Sequence, residues 1–539
     1  MKKLFYNGFI YTSNPDQPHA EAMIVEAGKI VWIGNQVDLQ QSITDAEWIN
    51  LQGRRVLPGI IDAHMHPLML ADVEQQIYCG PPQVHSIIEI QGEIQKKYDE
   101  LNVQDRNAWI RGWGYDEVKL AEQRSPTRWD LDQVAPNVPV ILTRTCAHII
   151  VVNSVALRLA GINDLTVSPA GGEIEVNADG ELTGILKEKA RDLIYKVMQE
   201  PTIEEQAQRL ATLSEKLFSQ GITSTTELMA TSHLTNFYDL FVKAYSFGYK
   251  QRTVLYYLWE EISKSKEIFS THRLNRNSYL HVGGIKLFAD GSISGKTAWV
   301  DSPYKNELEN VGLSTTTSEE LLDAAMVAEE NEIQLVVHAM GERAIEQIVD
   351  TFHRKQNWIK DAPSIRIEHA ALPNKETLLK AIEAGIGFVT QPIFLFAEIN
   401  SYLTNLGSEK TNQSYPLKTM LKSGAKVVIS SDAPATSWAD TSNPFIGIKA
   451  AVTRTAYTGQ TFNLNECVTV EEAIDLYTRH AQQMTRIADV GQLKVGFRSD
   501  FIVLDKDILN IDSSEIDQIH VLETYLDGHL VHSSDKIIV

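Results

Sequence analysis

Apolar segments of strand length alternate with segments of helical length along the second half of the chain. Seven of the apolar segments are predicted strands: Gly221–Glu227, Arg252–Leu258, Gly284–Ala289, Ile333–Ala339, Ile365–His369, Gly387–Gln391 and Lys426–Ser431. Helical segments such as Ser318–Asn331, Glu342–Gln356 and Lys375–Ala384 separate several of them. Together with a strand that ends at His64 they make eight, and the alternation predicts an α/β fold of the (β/α)8 TIM-barrel type. An open doubly wound sheet is disfavoured, because no glycine-rich nucleotide turn follows the first strand.

Two histidines, one residue apart, end the first of these strands in the segment 57–67, LPGIIDAHMHP. In an extended chain, residues i and i+2 point to the same side. His64 and His66 can therefore present two imidazoles to one point, which is half of a zinc-type site. Such pairs also occur by chance in solvated strands, so the pair alone leaves both interpretations open.

Polar side chains also end other predicted strands, which is where barrel enzymes carry their chemistry: Lys286, His338, His369 and Asp432. A single histidine at a strand end is more often a hydrogen-bonded core or rim residue, but several on different strands of one barrel favour a site. Neutral imidazoles hold a divalent ion, which lowers the pKa of bound water from 15.7 to about 7. Asp432 can bind the ion, take the proton of the water and pass it to a leaving amine.

The two ends of the chain consist of short predicted strands and glycine-containing turns. We predict that residues 1–58 and 485–539 form one composite, discontinuous β-sandwich domain and that residues 59–484 form the metal-dependent barrel. Residues 70–200 are far longer than a strand-to-helix connection needs. We predict that they form an inserted subdomain on the substrate side of the barrel.

Four motifs resemble the amidohydrolase superfamily: His64-Met65-His66, His338, Arg366-Ile367-Glu368-His369 and Ser431-Asp432-Ala433-Pro434. The segments 285–292, IKLFADGS, and 338–345, HAMGERAI, are similar to its N-substituted formamide deformylase-like branch, also called amidohydrolase 3. The β-modules at both ends match too, so that the resemblance covers essentially the whole chain.

The resemblance implies a metal-dependent hydrolase of carbon–nitrogen bonds other than peptide bonds, acting on a small molecule. It implies that His64, His66, His338 and His369 are metal ligands, with Asp432 as ligand and general base. Catalysis is then expected to rest on Asp432, Lys286 and His338. The expected cofactor is a divalent metal, zinc in the first place, with one or two ions per chain. The family also suggests a homodimer.

Lys286 matches a position at which superfamily members with two metals often have a lysine that is carboxylated by CO₂ and bridges the ions. This chemistry requires the neutral amine, which burial favours by penalising the charged form. The alternative is an ordinary salt bridge from Lys286 to Asp290 or Asp432. Glu188 is the rival bridging carboxylate, and if it bridges, Lys286 becomes an electrostatic or structural residue.

Candidate substrate contacts follow from segments that resemble the pocket lining of the same branch: Trp113, Asp116, His148 and Asn153. Aromatic packing within the subdomain and a helix cap at Asn153 are equally compatible with these residue types. Arg343 and Arg454 could pair with a substrate carboxylate, although exposed arginines are usually only solvated.

The composition excludes several classes of partner. The formal net charge of −21 argues against nucleic acid and anionic membranes, both of which need a basic surface. Cys79, Cys146 and Cys467 have no paired spacing, so neither a disulfide framework nor a zinc ribbon is expected. Without a signal-peptide pattern or a run of transmembrane length, the protein is expected to be cytoplasmic.

Three functions are compatible with this chain. The first is hydrolysis of an amide or formamide by metal-activated water, and the second is deamination of a nitrogen heterocycle. A lone metal and a dedicated proton-shuttling glutamate would favour deamination. The third is a non-catalytic scaffold with a hydrolase fold, which is disfavoured because none of the expected metal ligands is missing.

Overall fold

The computed structural model describes residues 2–39, 45–101, 108–145, 148–233, 235–262, 266–436 and 438–534. The chain divides into two compact units. Unit 1 comprises Met1–Pro67, Leu210–Ala433 and Ser442–Val539, and unit 2 comprises Leu68–Arg209 and Pro434–Thr441. Cys79 is buried and Cys467 is partly buried, whereas Cys146 lies outside the described residues.

The chain begins with short strands: β1 (Lys2–Tyr6), β2 (Phe9–Tyr11), β3 (His19–Ala20), β4 (Ala22–Glu26), β5 (Lys29–Gly34), β6 (Ala46–Asn50), β7 (Arg55–Pro58) and β8 (Ile60–Ile61). Strands β4 and β5 form a hairpin whose turn residues Ala27 and Gly28 have φ of 50° and 79°. Positive φ at both central residues is the geometry that matches the twist of two antiparallel strands.

Unit 2 is built on one mixed sheet. Its region contains α1 (Pro67–Val73), β9 (Ile77–Tyr78), α2 (Ile87–Glu100), β10 (Ile110–Tyr115), α3 (Arg128–Asp132), β11 (Val140–Arg144), β12 (Ile149–Val152), α4 (Ser154–Leu159), β13 (Gly172–Val176), β14 (Leu182–Glu188) and α5 (Asp192–Tyr195). The strand order is β13-β14-β12-β11-β10-β9. Successive residues Ile141 and Leu142 of β11 belong to different buried clusters. Since successive side chains of a strand point to opposite faces, both faces of this sheet are covered.

The remaining elements follow in chain order: α6 (Ile203–Ser219), β15 (Ile222–Ala230), α7 (Phe237–Ser246), β16 (Arg252–Leu258), α8 (Trp259–Ile262), β17 (Leu280–Phe288), α9 (Ser318–Glu330), β18 (Gln334–Ala339), α10 (Glu342–Phe352), β19 (Ile365–His369), α11 (Lys375–Glu383), β20 (Gly387–Thr390), α12 (Pro392–Ala397), α13 (Ile399–Asn405), α14 (Gly407–Gln413), α15 (Leu417–Lys422), β21 (Lys426–Ile429), α16 (Pro444–Thr453), α17 (Val470–Tyr477), α18 (Arg479–Thr485), β22 (Phe501–Leu504), β23 (Val521–Leu526) and β24 (His529–Ser533). None of the helices in the described ranges is both long and apolar enough to cross a bilayer.

Eight parallel strands form the central sheet of unit 1, in the sequential order β8-β15-β16-β17-β18-β19-β20-β21. Helices lie between successive strands from β15 onward, so the α/β fold is of the TIM-barrel type. The two edge strands meet just beyond their carboxyl ends. There, the Asp432 amide donates to the His64 carbonyl at 2.7 Å and the His66 amide donates to the Ala433 carbonyl at 2.9 Å.

Several predicted barrel strands have different bounds in the structure, and the contacts of two of them, β17 and β8, explain the difference. β17 begins at Leu280 instead of Gly284, and its glycines make room for Tyr256 of the neighbouring strand. A Cβ on Gly284 would lie 2.8 Å from the Tyr256 ring. β8 ends at Ile61 instead of His64, because the Asp62 carboxylate accepts the His64 amide at 3.2 Å and turns the chain out of the strand.

Strands from both ends of the chain share one sheet, β24-β23-β22-β7-β2-β3, in which β22 pairs antiparallel with β7. A second sheet has the order β5-β4-β1-β6. One buried cluster contains Phe5 and Met23 of the second sheet and Val56 and Phe501 of the first. The apolar faces of the two sheets therefore pack on the same core.

A buried ion pair joins the barrel to the C-terminal strands. Arg252, the first residue of β16, donates to Asp500 at 2.8 and 3.1 Å and to Asp527 at 2.8 Å. The side chains of Arg252 and Asp500 are 3% and 1% exposed. Removal of one partner would therefore leave an uncompensated buried charge.

We expect Arg252→Met to lower the free energy of unfolding by about 3–5 kcal/mol, measured by urea denaturation. Lys380→Met is the matched control, because Lys380 pairs with exposed carboxylates and its substitution should leave the free energy of unfolding nearly unchanged. A loss at position 252 no larger than that of the control would contradict this account of the ion pair.

The same ion pair predicts that the free energy of unfolding depends on pH. Burial alone would raise the pKa of Asp527, but Arg252 and a hydrogen bond from Tyr279 outweigh it and hold the pKa below its usual value. A carboxyl group with a lowered pKa stabilises the fold above its unfolded pKa of about 4 and loses that contribution as the pH falls. The difference in stability between wild type and Arg252→Met should therefore narrow below about pH 4.

Candidate active site

Two imidazoles and one carboxylate converge where the barrel sheet begins and ends. The Asp432 Oδ1 atom lies 3.1 Å from His64 Nε2 and 3.0 Å from His66 Nε2. One ligand atom from each of the three residues lies within 4.8 Å of the other two. All three side chains are buried. Residues from opposite ends of the barrel sequence thus present their polar atoms to one point.

Two more histidines extend this cluster from neighbouring strands. The His369 ring centroid lies 4.8 Å from that of His64 and 4.4 Å from that of His338. His369 Nδ1 donates to Gln391 Oε1 at 2.8 Å, and His338 Nε2 donates to the Gly291 carbonyl at 3.0 Å. In each ring one nitrogen is thus engaged by the protein and the other is available to a further partner.

The backbone at two of these residues is left-handed. His369 has φ of 71° and Asp432 has φ of 55°. Residues other than glycine adopt this region at a cost of about 1–3 kcal/mol and persist there when the surrounding structure imposes it. His369 is the last residue of β19, and Asp432 lies three residues beyond the end of β21, so both turn the chain at the carboxyl side of the barrel strands.

A second layer of buried charge holds His64 in place. Its Nδ1 atom lies 2.5 Å from Glu368 Oε2, and Arg366 donates to both Glu368 oxygens at 3.0 and 3.2 Å. Because a carboxylate can only accept a hydrogen bond, Nδ1 of His64 carries a proton, and the ring is oriented so that its Nε2 atom faces Asp432.

Glu368 and Arg366 do not appear among the predicted site residues. The signal for them is in the sequence, since a charged pair at i and i+2 in the short strand Ile365–His369 must point to one side. Both side chains are fully buried, and buried charges are paired or bound to metals.

The pKa values show how the charges of the site are distributed. Burial raises the pKa of Asp432, but His64 and His66 outweigh it and hold the pKa well below its usual range. Burial lowers the pKa of His338 to about 3 and, with the neighbouring His338, lowers that of His369 well below its usual value. Neutral imidazoles at His338 and His369 beside the ionised Asp432 carboxylate are protonation states in which these groups can bind a divalent ion.

Asp432 also affects the pKa values of His66 and Lys286. Burial disfavours the charged form of His66, but Asp432 and Glu227 overcome it and raise its pKa to about 9. The site therefore favours a positive charge at this position. Burial lowers the pKa of Lys286 to about 8, against the pull of Glu368 and Asp432.

The arrangement fits a divalent cation. The donor set contains nitrogen and carboxylate oxygen atoms, which zinc and similar ions prefer. The Nδ1 atom of His66 is buried and lies 3.6 Å from Glu227 Oε1, beyond hydrogen-bond distance. Lys286 forms no ion pair within 4 Å in the same part of the chain, so neither Asp290 nor Asp432 neutralises it directly as the salt-bridge alternative would require. Asp290 instead accepts the backbone amides of Trp299, Met340 and Gly341.

Several predicted substrate contacts are already engaged within unit 2. Asn153 is fully buried, accepts the amides of Val140 and Ala156, and donates to the carbonyls of Ala135 and Val138. These four hydrogen bonds occupy both the oxygen and the nitrogen of its side-chain amide. Asn153 therefore caps helix α4 and has no polar group left for a substrate.

The other candidates of unit 2 have partners of their own. Asp116 accepts the Val118 amide at 3.2 Å and pairs with Arg144 at 3.3 Å. Trp113 is buried in β10. His148 Nδ1 lies 3.1 Å from Glu188, and both side chains are more than half exposed.

The two candidate arginines belong to unit 1. Arg454 is buried and donates to the carbonyls of Ser414, Tyr415 and Phe462, so this side chain has a structural role and does not receive a substrate carboxylate. Arg343 is partly exposed and donates to the Asp301 carbonyl.

Comparison with known proteins identifies the family. The model of the amidohydrolase family matches residues 47–532. The chain belongs to the amidohydrolase family.

Two curated relatives match this amidohydrolase along its length. Protein YtcJ of Bacillus subtilis (strain 168) is 29% identical, with 99% of each chain covered. The N-substituted formamide deformylase of Arthrobacter pascens is 28% identical, with 98% of this chain and 97% of the relative covered.

A solved structure of a metal-dependent hydrolase from Pyrococcus horikoshii shares the fold of this amidohydrolase. The TM-score is 0.76 at 24% identity, over 99% of this chain and 100% of the other. The family model places the chain among the amidohydrolases, and His64, His66 and Asp432 form a group that could hold a metal ion.

We expect Glu368→Gln to weaken zinc binding by this amidohydrolase about 10- to 100-fold, because the groups that orient a ligand histidine contribute that much to affinity. Competition with a chromogenic chelator measures the affinity. The substitution keeps the volume of the side chain, so near-ultraviolet circular dichroism should be unchanged.

Glu376→Gln is the control for Glu368→Gln, because this carboxylate is 81% exposed and pairs with Lys380 on the surface of helix α11. Equal zinc affinity in both variants would show that Glu368 does not orient His64.

Proposed function

We propose that this amidohydrolase cleaves the carbon–nitrogen bond of small N-substituted amides, with formamides as the first class to test. The contact of Asp432 Oδ1 with both His64 and His66 supports the proposal most directly, because it leaves one ionised carboxylate beside two imidazoles. The relative from Arthrobacter pascens, named as a deformylase of N-substituted formamides, supports the substrate class.

The residues proposed to hold the metal are His64, His66, His338, His369 and Asp432. When bound, a divalent ion polarises a carbonyl group and lowers the pKa of water, so that an amide can be attacked at neutral pH. We assign the other steps to the chain itself.

Asp432 acts first as general base. Its pKa lies well below the usual range, so the carboxylate is ionised at neutral pH and accepts a proton from the attacking water. The same oxygen then returns the proton to the departing amine nitrogen, which makes the amine a better leaving group. Glu368 and Arg366 support these steps by holding His64 in one tautomer.

Lys286 is proposed to become a carboxylated, bridging side chain. A pKa of about 8 leaves a usable fraction of neutral amine at neutral pH, and the neutral amine is the form that adds to CO₂. Glu188 remains the alternative bridging carboxylate. On the substrate side, Trp113, His148 and Arg343 remain candidates.

Asp432→Asn should reduce the turnover of N-substituted formamides by at least about 100-fold, since the amide cannot take up the proton. Formate release measures the reaction, and Glu376→Gln serves as the control.

Removal of metal with a chelator should abolish turnover by the wild type, and zinc should restore it. Turnover by a metal-free protein would refute the proposal, and ammonia release from heterocycles in place of formate would indicate the deaminase.

Lys286→Met should lower the metal content from about two ions per chain to about one, because the bridging carboxylate is lost. Plasma mass spectrometry on protein purified without chelators measures this content. If wild type and variant contain the same amount of metal, Lys286 does not bridge.

A further inference from the structure

A small polar cavity lies at the amino-terminal end of the barrel strands. Its volume is about 170 Å³. The wall is formed by the beginning of β17, the turn before β18 and the end of α18, and includes His281, Arg276 and Arg486. His281 precedes Lys286 by five residues in β17, so at about 3.3 Å per residue the cavity lies roughly 16 Å from the candidate active site along the strand.

The cavity contains a buried histidine that the protein leaves without partners. His281 is 2% exposed, and neither of its ring nitrogens has a hydrogen-bond partner among the residues that the structure describes. Native proteins rarely leave buried polar atoms unpaired. A ring with two such atoms therefore indicates a ligand or ordered water in the cavity.

Two arginines give the cavity its charge. Arg486 donates from one terminal nitrogen to the Glu332 carbonyl at 2.8 Å, while its Nε atom is buried without a hydrogen bond. Arg276 donates to the Arg486 carbonyl at 3.0 Å and to the Asp361 carboxylate at 2.8 Å. Asp361 Oδ1 lies 3.6 Å from the Arg486 Nε atom, beyond hydrogen-bond distance, so the N–H group can still donate to a ligand in the cavity that it shares with the unpaired imidazole.

Two guanidinium groups and two carboxylates surround His281. The two guanidinium groups are cationic. Glu332 belongs to the wall but is exposed, and Asp361, with a side chain 55% exposed, pairs with the arginines from the solvent side. Burial and the two arginines lower the pKa of His281 to about 3, so the ring is neutral at neutral pH and offers one donor and one acceptor.

Water alone does not match this wall as well as an oxyanion does. The volume corresponds to about five or six waters at ~30 Å³ each, and neutral water brings no charge to the guanidinium groups. A small oxyanion that keeps one hydroxyl group can accept from Arg486 and from the imidazole N–H and donate to the other ring nitrogen. Arginine pairs strongly with such planar or tetrahedral oxygen groups.

We propose that the cavity formed by His281, Arg276 and Arg486 binds a small oxyanion that carries a hydroxyl group, of the hydrogen phosphate class. The site lies at the opposite strand ends from the metal ligands and does not depend on the proposed hydrolysis. It adds a ligand-dependent stabilisation to the end of the barrel where β17, β18 and α18 meet.

Inorganic phosphate is the probe, added to the full-length protein at pH 7.5 and constant ionic strength. Because a ligand that binds only the folded state stabilises it by mass action, 10 mM phosphate should raise the melting temperature by at least about 2 °C in a saturable manner. Sulfate has no hydroxyl group at this pH and should raise the melting temperature less than phosphate does. Equal responses to phosphate and sulfate would overturn the role of His281 as an acceptor.

His281→Leu should abolish the response to phosphate, and His281→Gln, which keeps a donor and an acceptor, should retain part of it. His520→Leu, at an exposed position, should respond as the wild type does. Phosphate bound at the metal site would act on His281→Leu and wild type alike, so an equal shift in both overturns the proposal. A crystal structure from phosphate that contains an ordered water cluster only would do the same.

Arg276→Met is the second test, in case His281→Leu does not fold. Its side chain is one-third exposed, so the substitution should be tolerated, and the response to phosphate should fall at least tenfold in apparent affinity because one cation of the site is removed. An unchanged affinity in this variant would count against the oxyanion site.

Discussion

The junction between the first and last strands of the barrel carries both the fold and the candidate site. The backbone amides of Asp432 and His66 donate to carbonyls across this junction, and the Asp62 carboxylate accepts the amides of His64 and Ser431 at 3.2 and 3.3 Å. The side chains of His64, His66 and Asp432 project from the same few residues. Any displacement of the edge strands would therefore also move these side chains. The hydrogen bonds that close the barrel thus set the relative positions of His64, His66 and Asp432.

A polar chain through the barrel interior supports this junction. Gln334 accepts from Tyr256 at 2.9 Å, Tyr256 accepts from Arg366 at 2.7 Å, and Arg366 pairs with Glu368 behind His64. Every member is buried, and such a network is costly unless each group is satisfied. Here the chain ends on backbone carbonyls, since the Gln334 amide donates to Pro363 and Met484. The interior thus keeps one charged pair against His64 without leaving these groups unpaired.

The TIM-barrel type of fold and the residues at the strand ends were predictable from the sequence. Parallel strands that are buried on both faces appear as apolar runs, and a polar residue directly after such a run marks the end of the strand. Strands such as Arg252–Leu258 and Ile365–His369 have the predicted bounds. β17 was predicted too short, because Gly283 and Gly284 weaken the strand signal while their role, to make room for Tyr256, depends on a neighbouring strand. Asn153 shows the same limit, since only the folded structure reveals that four backbone groups use its amide. Glu368 was overlooked although its spacing of two residues from Arg366 was visible in the sequence. The role of a charged residue in a strand becomes clear only when its partner is known, and the partner of Glu368 at the site is His64.

The contact between His66 and Asp432 also has a consequence for biosynthesis. These residues are 366 positions apart, and a ribosome adds about 5–20 residues per second. Roughly 20–70 seconds therefore separate the emergence of the histidine pair from that of its carboxylate, and β22, which pairs with β7, follows later still. During that interval the nascent chain has two imidazoles but no closed barrel to hold them, so the group of His64, His66 and Asp432 is completed only in the last stage of folding, after most of the polypeptide has left the ribosome.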